Sequence, residues 1–312
     1  MAKCLVTGGA GFIGSHLVTA LVARGDEVVV LDDLSTGKRE NLAAVADLVR
    51  LVVGSITDPA ATKVCCEGVD VVFHQAALAS VPRSVADPVL TNHVNVDGTL
   101  QLLVAARDAG VRRVVYAASS SAYGETEELP KRESMPACPL SPYAVQKYVG
   151  ELYCSVFSRL YGLSTIGLRY FNVFGPRQDP QSQYAAVVPI FITRLLRGEA
   201  PTIHRGGGQS RDFTYVRNVV AANLLAAAAP DPGGRTVNVA CGDRVSLNDL
   251  YRRLQALTGG TVAAIHGPPR PGDVRHSQAD ITLARELIGF QPVADLETGL
   301  RETVAWYKAA VR

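Results

Sequence analysis

Several signatures of other protein classes are missing from this 312-residue sequence. It contains no basic tract and no low-complexity segment, and its formal net charge is only +2, so we expect neither nucleic acid nor a membrane surface as a partner. The apolar run at the start is too short for a signal peptide. The longest later run, residues 219–229, contains Asn223 and falls short of the ~20 residues of a membrane-spanning helix. These absences predict a cytoplasmic location.

Cysteine also gives little sign of chemistry. The cysteines lie apart without the spacing of metal ligands, and the adjacent pair lacks the Cys-x-x-Cys arrangement of redox proteins. We therefore expect reduced, mostly buried thiols and no metal site. The six cysteines are Cys4, Cys65, Cys66, Cys138, Cys154 and Cys241.

The sequence does contain a repeated alternation of short apolar runs with longer stretches of helical character, such as residues 13–24 and 98–109. Short apolar strands that bracket helices predict an α/β fold, in which a doubly wound parallel sheet is covered by helices on both faces. The predicted strands lie at residues 4–6, 28–31, 51–53, 69–73, 113–116 and 165–169.

A glycine-rich loop follows the first predicted strand and opens the first helix. In this loop Gly8, Gly11 and Gly14 would allow a tight turn, close approach of the backbone to a pyrophosphate, and close packing of helix on strand. Asp32 ends the second strand, where the acid that binds an adenosine ribose is expected. Its charge would repel a 2′-phosphate and favours NAD over NADP, although the basic residues 38–39 leave NADP open.

The regular alternation ends near residue 172, where clusters of proline and glycine begin. We therefore predict an NAD-binding Rossmann domain over residues 1–171 and a smaller α/β substrate lobe over residues 172–312. Residues 213–240 are expected to return to the first domain.

Tyr143 and Lys147 lie four positions apart just after Pro142, so a helix that starts there places them on one face. A tyrosine hydroxyl has an unperturbed pKa near ~10 and needs a nearby cation to act as a base at neutral pH. The lysine would supply that cation. The same chain also contains the glycine-rich nucleotide-binding loop and a serine cluster at residues 119–121. Together with these features, Tyr143 and Lys147 predict redox chemistry that interconverts an alcohol and a carbonyl.

These residues together resemble the extended short-chain dehydrogenase/reductase superfamily, and within it the nucleotide-sugar 4-epimerases, with the bacterial UDP-N-acetylglucosamine 4-epimerases most similar. The resemblance extends over nearly the whole chain. It rests on ordered motifs at residues 7–14, 74–77, 95–99, 119–124, 143–147, 169–176, 210–213 and 270–273.

The resemblance implies that Ser119 orients the 4-hydroxyl of the sugar, that Tyr143 is the acid and base, and that Lys147 holds the nicotinamide ribose and lowers the tyrosine pKa. NAD would stay bound and be regenerated through a transient 4-keto sugar. The implied cofactor-binding residues are Gly8, Gly11, Phe12, Ile13, Gly14, Asp32, Gly37, Ser55, Ile56, Ala76, Ala77, Asn95, Tyr143 and Lys147.

For the UDP group, the resemblance implies Asn172 and the guanidinium groups of Arg211 and Arg270, which suit a diphosphate. Phe191 is expected at the uracil site, although a place in the core is equally compatible with its sequence context. The implied substrate-binding residues are Arg83, Ser120, Ser121, Asn172, Gln178, Ala186, Val188, Phe191, Arg211, Arg270 and Ser277.

Ser277 stands at the position where a bulky tyrosine restricts some family members to glucose and galactose. A small side chain would leave room for an acetamido group. We therefore expect interconversion of UDP-GlcNAc and UDP-GalNAc, together with activity on UDP-glucose and UDP-galactose. A UDP-glucuronate 4-epimerase stays open, because Arg83 would meet a carboxylate.

Related dehydratases and decarboxylases carry acidic residues just before the Tyr-Gly pair that residues 123–124 match. Here residues 120–122 are Ser-Ser-Ala, which disfavours a dehydratase. An NAD-dependent nucleotide-sugar dehydrogenase would use the same serine, tyrosine and lysine, and cofactor retention would distinguish it. The predicted helices over 98–109 and 144–160 match those that pair subunits through a four-helix bundle in the family, so a homodimer is expected.

Overall fold

The computed structural model of the chain describes residues 1–180, 186–268 and 274–310. In chain order the strands are β1 (Lys3–Thr7), β2 (Glu27–Asp32), β3 (Val49–Val53), β4 (Val71–His74), β5 (Arg113–Ser119), β6 (Ser164–Tyr170), β7 (Val173–Phe174), β8 (Thr202–His204), β9 (Ser210–Arg211), β10 (Thr214–Tyr215), β11 (Thr236–Val239), β12 (Val245–Ser246) and β13 (Ile265–Gly267). The helices are α1 (Phe12–Ala23), α2 (Pro59–Cys66), α3 (Val81–Ala86), α4 (Pro88–Asn92), α5 (Gly98–Asp108), α6 (Pro142–Tyr161), α7 (Val187–Leu196), α8 (Val216–Ala228), α9 (Leu247–Thr258), α10 (Thr282–Ile288) and α11 (Leu296–Ala310). None of the described helices is long and apolar enough to cross a membrane.

Seven parallel strands form the main sheet, in the order β11-β6-β5-β4-β1-β2-β3. The strand and helix alternation confirms the predicted fold class. Because helices cover both faces of the sheet, its central strands carry apolar residues on both sides. Every residue of β4 is buried, as are the first six residues of β5.

The two faces of the sheet have separate cores. Helices α1, α8 and α10 cover one face, with Leu17, Val219 and Ile288 among the buried residues. Helices α2, α5 and α6 cover the other, where Leu102 and Phe157 are buried. Each such side chain contributes about 1.5–3 kcal/mol when it leaves water, so packing on the sheet fixes where α6 and its polar residues lie.

Residues 216–239 return to the main sheet after the chain has entered its second lobe. Helix α8 packs on α1, and β11 extends the sheet beside β6. The contact is close, because a Cβ atom on Gly167 would lie 2.5 Å from the Thr236 hydroxyl oxygen. The rest of the second lobe packs α7, α9 and α11 around a third core that contains Leu250 and Val304.

All six cysteines are free. Four of them are buried, Cys138 is exposed and Cys241 is partly exposed, which agrees with the expectation of mostly buried thiols.

Candidate active site

The carboxyl ends of the parallel strands lie along one edge of the sheet, where β1 ends at Thr7, β2 at Asp32, β4 at His74 and β5 at Ser119. Ligands of open α/β sheets bind at this edge. The second lobe contributes to the same edge and encloses a cleft of about 520 Å³ with it. The candidate site is therefore shared between sheet and lobe.

The glycine loop between β1 and α1 has the geometry that a pyrophosphate requires. Gly8 has a φ of +67°, and a Cβ atom there would lie 2.7 Å from the Ala76 nitrogen. A Cβ atom on Gly14 would lie 2.1 Å from the Gly8 oxygen. Gly11 precedes α1 and no side chain caps the helix, so the first-turn N–H groups of α1 remain for phosphate oxygens.

Asp32 lies beside this loop with its carboxylate held by the backbone. Its Oδ2 accepts a hydrogen bond from the Ala10 nitrogen (2.8 Å) and its Oδ1 accepts one from the Leu34 nitrogen (2.9 Å). Burial raises the pKa of this carboxyl. A Cβ atom on Gly37 would lie 2.6 Å from Oδ1, so the structure brings Asp32 and Gly37 together at the end of β2.

The other predicted cofactor residues lie in the loops that follow β3 and β4, apart from Phe12 and Ile13 at the start of α1 and Asn95 in the helical turn before α5. Ser55 and Thr57 share a hydrogen bond of 2.9 Å between their hydroxyls, and Ala76 donates its N–H to the Thr7 hydroxyl at 3.3 Å. Both ends of the Asn95 amide are engaged with the protein, because Oδ1 accepts from the Leu78 nitrogen at 2.8 Å and Nδ2 donates to a buried glutamine. The remaining four are placed as follows: Ile56 is buried, Ala77 is partly exposed, and Phe12 and Ile13 line the cleft.

The predicted catalytic tyrosine and lysine lie at the start of α6. Ser141 begins the helix by accepting a hydrogen bond from the Ala144 nitrogen (3.2 Å), and Pro142 occupies the first turn. Tyr143 lines the cleft. Burial raises the pKa of its phenol, and a hydrogen bond with the Ser119 side chain acts in the opposite direction.

Lys147 is buried one helical turn farther along α6. Its Nζ donates to the Ala117 carbonyl at 2.9 Å and lies 5.1 Å from the centre of the Tyr116 ring. Burial lowers the pKa of Lys147 from 10.5 to about 8, and Cys154 and the Glu151 carboxylate act against that decrease. The lysine is therefore a cation below about pH 8.

Ser119 ends β5 and contacts both the tyrosine and the serine cluster. Ser121 donates to the Ser119 hydroxyl oxygen from its backbone nitrogen (3.2 Å) and from its own hydroxyl (2.9 Å). Ser119, Ser120 and Ser121 all line the cleft. The structure thus unites the predicted catalytic residues in one place.

His74 is buried beneath this site. Its two ring nitrogens share hydrogen bonds with the hydroxyls of Thr7 (2.8 Å) and Thr99 (2.9 Å). Burial and the Lys147 charge lower the pKa of His74 to about 3. A neutral imidazole therefore links β1, β4 and α5.

Most of the predicted substrate residues lie in the cleft wall, but the structure separates some of them. Those lining the cleft are Ser120, Ser121, Asn172, Gln178, Ala186, Arg211 and Ser277. Arg83, on α3, does not line it. Val188 and Phe191 are buried in the core of the second lobe, where the Phe191 ring packs edge-on against Tyr251. Arg270 falls outside the described residues.

Five polar residues that line the cleft are absent from the predicted set, namely Tyr123, Lys131, Ser141, Tyr170 and His276. Lys131 is 3% exposed, and its Nζ donates to the Thr126 carbonyl at 2.9 Å. It reaches the site because its backbone pairs with residues 278–280 of the second lobe. No local pattern marks this pairing, so the sequence offers no signal for Lys131.

Comparison with known proteins agrees with this geometry. The chain matches the sequence profile of the NAD dependent epimerase/dehydratase family over residues 4–240. It is 43% identical over 310 residues to the UDP-glucose 4-epimerase of Mycolicibacterium smegmatis, covering 98% of each chain.

Two solved structures are also similar over the full fold. A UDP-N-acetylglucosamine 4-epimerase from Methanobrevibacter ruminantium, in complex with UDP-N-acetylmuramic acid, has a TM-score of 0.95, 42% identity and 99% coverage of both chains. A UDP-glucose 4-epimerase from Thermotoga maritima, with UDP-glucose, has a TM-score of 0.95, 40% identity, and coverage of 99% of this chain and 100% of that one. The glycine loop, the Ser119, Tyr143 and Lys147 cluster and these similarities together place the chain in the NAD dependent epimerase/dehydratase family.

Proposed function

We propose that this protein is an NAD-dependent 4-epimerase of UDP-hexoses, an isomerase that interconverts UDP-GlcNAc and UDP-GalNAc and also UDP-glucose and UDP-galactose. The observation that carries the proposal is that Ser119 and Tyr143 line one cleft next to the glycine loop, with Lys147 buried one helical turn beyond Tyr143 and its ammonium bonded to the Ala117 carbonyl of β5. The names of the similar proteins support the same reaction.

The residues present fit NAD. The uncapped first turn of α1, the close packing around Gly8 and Gly14, and the Asp32 carboxylate would hold its pyrophosphate and adenosine ribose. Tyr143 and Lys147 would contact its nicotinamide ribose. Bound NAD would supply the acceptor for the hydride of the sugar C4 and the donor that returns this hydride to the opposite face of the 4-keto sugar.

The protein's own residues move the proton. Tyr143 as phenolate accepts the proton of the 4-hydroxyl while the C4–H bond breaks, so the alcohol becomes a carbonyl. Ser119 holds the reacting oxygen, and the Lys147 cation stabilises the phenolate. After the 4-keto sugar has turned in the cleft, Tyr143 gives the proton back. The product is the epimer, and the tyrosine is restored.

The cleft lacks the groups that elimination needs. None of the described residues that line it is an aspartate or a glutamate. Dehydration of a sugar requires an acid and a base in addition to the redox site. The serines and alanine at residues 120–122 therefore support epimerisation over a dehydratase.

The expected substrates follow from the wall formed by the second lobe. Ser277 lines the cleft and is 7% exposed. Its small side chain supports access for an N-acetyl group. The test is to incubate purified protein with UDP-GlcNAc, without added cofactor, and to resolve the products by proton NMR.

Appearance of UDP-GalNAc supports both epimerisation and retained NAD. Conversion of UDP-glucose alone would mean a narrower pocket than we infer. Turnover that needs added NAD and accumulates NADH would instead indicate a dehydrogenase.

One observation favours a second substrate, UDP-glucuronate. Lys131 lines the cleft, and its ammonium donates to the Thr126 carbonyl and lies within the influence of Glu125 and Glu128; as the cation of this wall it would attract a sugar carboxylate. Arg83, which the sequence suggested for this role, lies elsewhere. Comparing kcat/KM for UDP-glucuronate between the wild-type protein and Lys131→Met tests this reading, with UDP-glucose as the uncharged control.

We further propose a homodimer through α5 and α6. Helix α6 exposes several apolar side chains on its outer face, namely Val145, Leu152, Val156 and Leu160. A contiguous apolar surface of this kind is typical of a subunit interface. Sedimentation equilibrium should show a dimer that Val156→Glu dissociates and that the control Val293→Glu, at an exposed apolar site in the second lobe, leaves intact. A wild-type monomer would contradict the proposal.

The free cysteines support a cytoplasmic location.

A further inference from the structure

A buried ion pair lies behind the catalytic lysine and has no role in the reaction described above. Glu151, on α6, accepts two hydrogen bonds from Arg169 on β6, from Nε at 2.9 Å and from Nη2 at 2.6 Å. The side chains are only 5% and 6% exposed. A bidentate pair removed from water in this way is costly to bury and destabilising to break, so its retention calls for a physical reason.

The position of Glu151 relative to Lys147 supplies one. The two residues are four positions apart on α6, and both face the sheet. Residues at this spacing share a helix face one turn apart. The lysine charge favours the ionised form of Glu151, and the glutamate charge favours the ionised form of Lys147.

The other titratable groups around Lys147 contribute no compensating negative charge at neutral pH. On α6, burial raises the pKa values of Tyr143 and Cys154. From the sheet, Tyr116 has its pKa raised by burial, and His74 is held neutral. Among the described residues, Glu151 is the carboxylate that faces the lysine.

Arg169 extends the arrangement to the cleft wall. Its guanidinium carbon lies 4.6 Å from the centre of the Tyr123 ring. Tyr123 lines the cleft and donates its hydroxyl proton to Asn238 at 2.7 Å. The chain of contacts therefore runs from Glu151 through Arg169 to a wall of the substrate site.

We propose that Glu151, held by Arg169, is a positioning residue that keeps the Lys147 ammonium charged and so keeps Tyr143 active as a base at neutral pH. The proposal rests on the function proposed above. Without the glutamate charge, Lys147 would lose the carboxylate that lies one helical turn away on α6. The lysine would then lose its proton at lower pH, and the tyrosine would lose the cation that stabilises its phenolate.

The test uses the full chain with its bound NAD and the variant Glu151→Gln, which keeps the shape and removes the charge. We expect the alkaline limb of the kcat profile for UDP-glucose to move to lower pH by about one unit, with a loss of about tenfold in kcat at pH 8. The ionisation of Tyr143 can also be followed directly by NMR, in protein whose tyrosines carry ¹³C at Cζ. The resonance that disappears in the Tyr143→Phe variant belongs to Tyr143. The Tyr143 midpoint should move to higher pH by about one unit.

Two variants at Arg169 separate charge from structure. Arg169→Lys keeps the positive charge beside Glu151, so the pH profile should keep its wild-type midpoint. Combining Glu151→Gln with Arg169→Met removes both charges, and because Lys147 still lacks its carboxylate, the midpoint should stay where Glu151→Gln alone places it. Glu302→Gln serves as the matched control, because it removes a partly buried carboxylate on α11 that accepts a hydrogen bond from the Tyr215 hydroxyl. It should leave the profile unchanged.

A uniform loss of rate in Glu151→Gln at every pH, with both midpoints unchanged, would show a purely structural role and overturn the proposal. If the wild-type protein epimerises none of the UDP-sugars, the proposed function fails instead. The tyrosine titration still decides the role of Glu151 in that case, because it does not depend on turnover.

Discussion

Replacement of Lys147 by methionine should make the protein more stable and nearly inactive. Burial lowers the pKa of this ammonium from 10.5 to about 8, which at about 1.4 kcal/mol for each pKa unit corresponds to about 3 kcal/mol of lost stability when the group is charged. The residue is 4% exposed, so solvent screens little of this penalty. The lost hydrogen bond to Ala117 offsets about 1 kcal/mol. We therefore expect Lys147→Met to raise the free energy of unfolding by about 2 kcal/mol at pH 7.

The pH dependence of this gain has a definite sign. The folded protein releases the Lys147 proton near pH 8 and the unfolded chain releases it near 10.5, so between these values the unfolded state binds more protons. Wild-type stability consequently rises with pH over this window, and the advantage of the methionine variant shrinks. Below pH 8 both states are protonated and the full advantage remains.

The assay is urea unfolding of both proteins at pH 7 and pH 10, after removal of NAD from both samples so that cofactor binding does not bias the comparison. Lys63→Met, on the exposed surface of α2, controls for replacement of a lysine and should change little. Turnover of UDP-glucose by Lys147→Met should fall by about 10²-fold or more. A variant less stable than the wild type at pH 7, or a stability difference that is constant from pH 8 to 10, would refute the reasoning.

Two further substitutions test the site directly. Tyr143→Phe removes only the phenol oxygen and should lower kcat by about 10²–10⁴-fold, while the NAD retained after purification, measured by its absorbance on release, stays unchanged; a normal rate would exclude Tyr143 as the base. Ser277→Tyr places a large ring in the cleft wall and should lower kcat/KM for UDP-GlcNAc by about tenfold or more relative to UDP-glucose. Equal losses for both sugars would show that Ser277 does not face the acetamido group.

The parts of the site that the sequence predicts are those encoded over short distances along the chain. The glycines at residues 8–14 adjoin a strand and a helix, so their spacing in that context predicts where a pyrophosphate would bind. Tyr143 and Lys147 share one helix, and the start of that helix is marked by Ser141 and Pro142. Helical geometry then brings the two side chains to one face.

The parts that the sequence does not predict depend on contacts between distant segments. Lys131 enters the cleft because its backbone pairs with residues 278–280, and Tyr123 is fixed there by Asn238 on β11. Phe191 is a residue that the sequence assigns to the substrate site and the structure places in the core. An aromatic residue within an apolar run is compatible with either location. Its position depends on α9, which supplies the ring that packs against it.

Helix α6 shows why an amphipathic sequence pattern does not predict which face of a functional helix is buried. On an ordinary surface helix, apolar residues face the core and charged residues face water. Here polar side chains point inward, namely Gln146, Lys147 and Glu151, while apolar ones point outward, namely Val145, Leu152 and Val156. The inward charges are stabilised by partners on the sheet, as Arg169 stabilises Glu151, and the outward apolar face is the one that we propose a second subunit covers. An inverted helix of this kind is unfavourable for an isolated monomer, so the inversion links the proposed catalytic lysine and the proposed dimer interface to the same twenty-residue element.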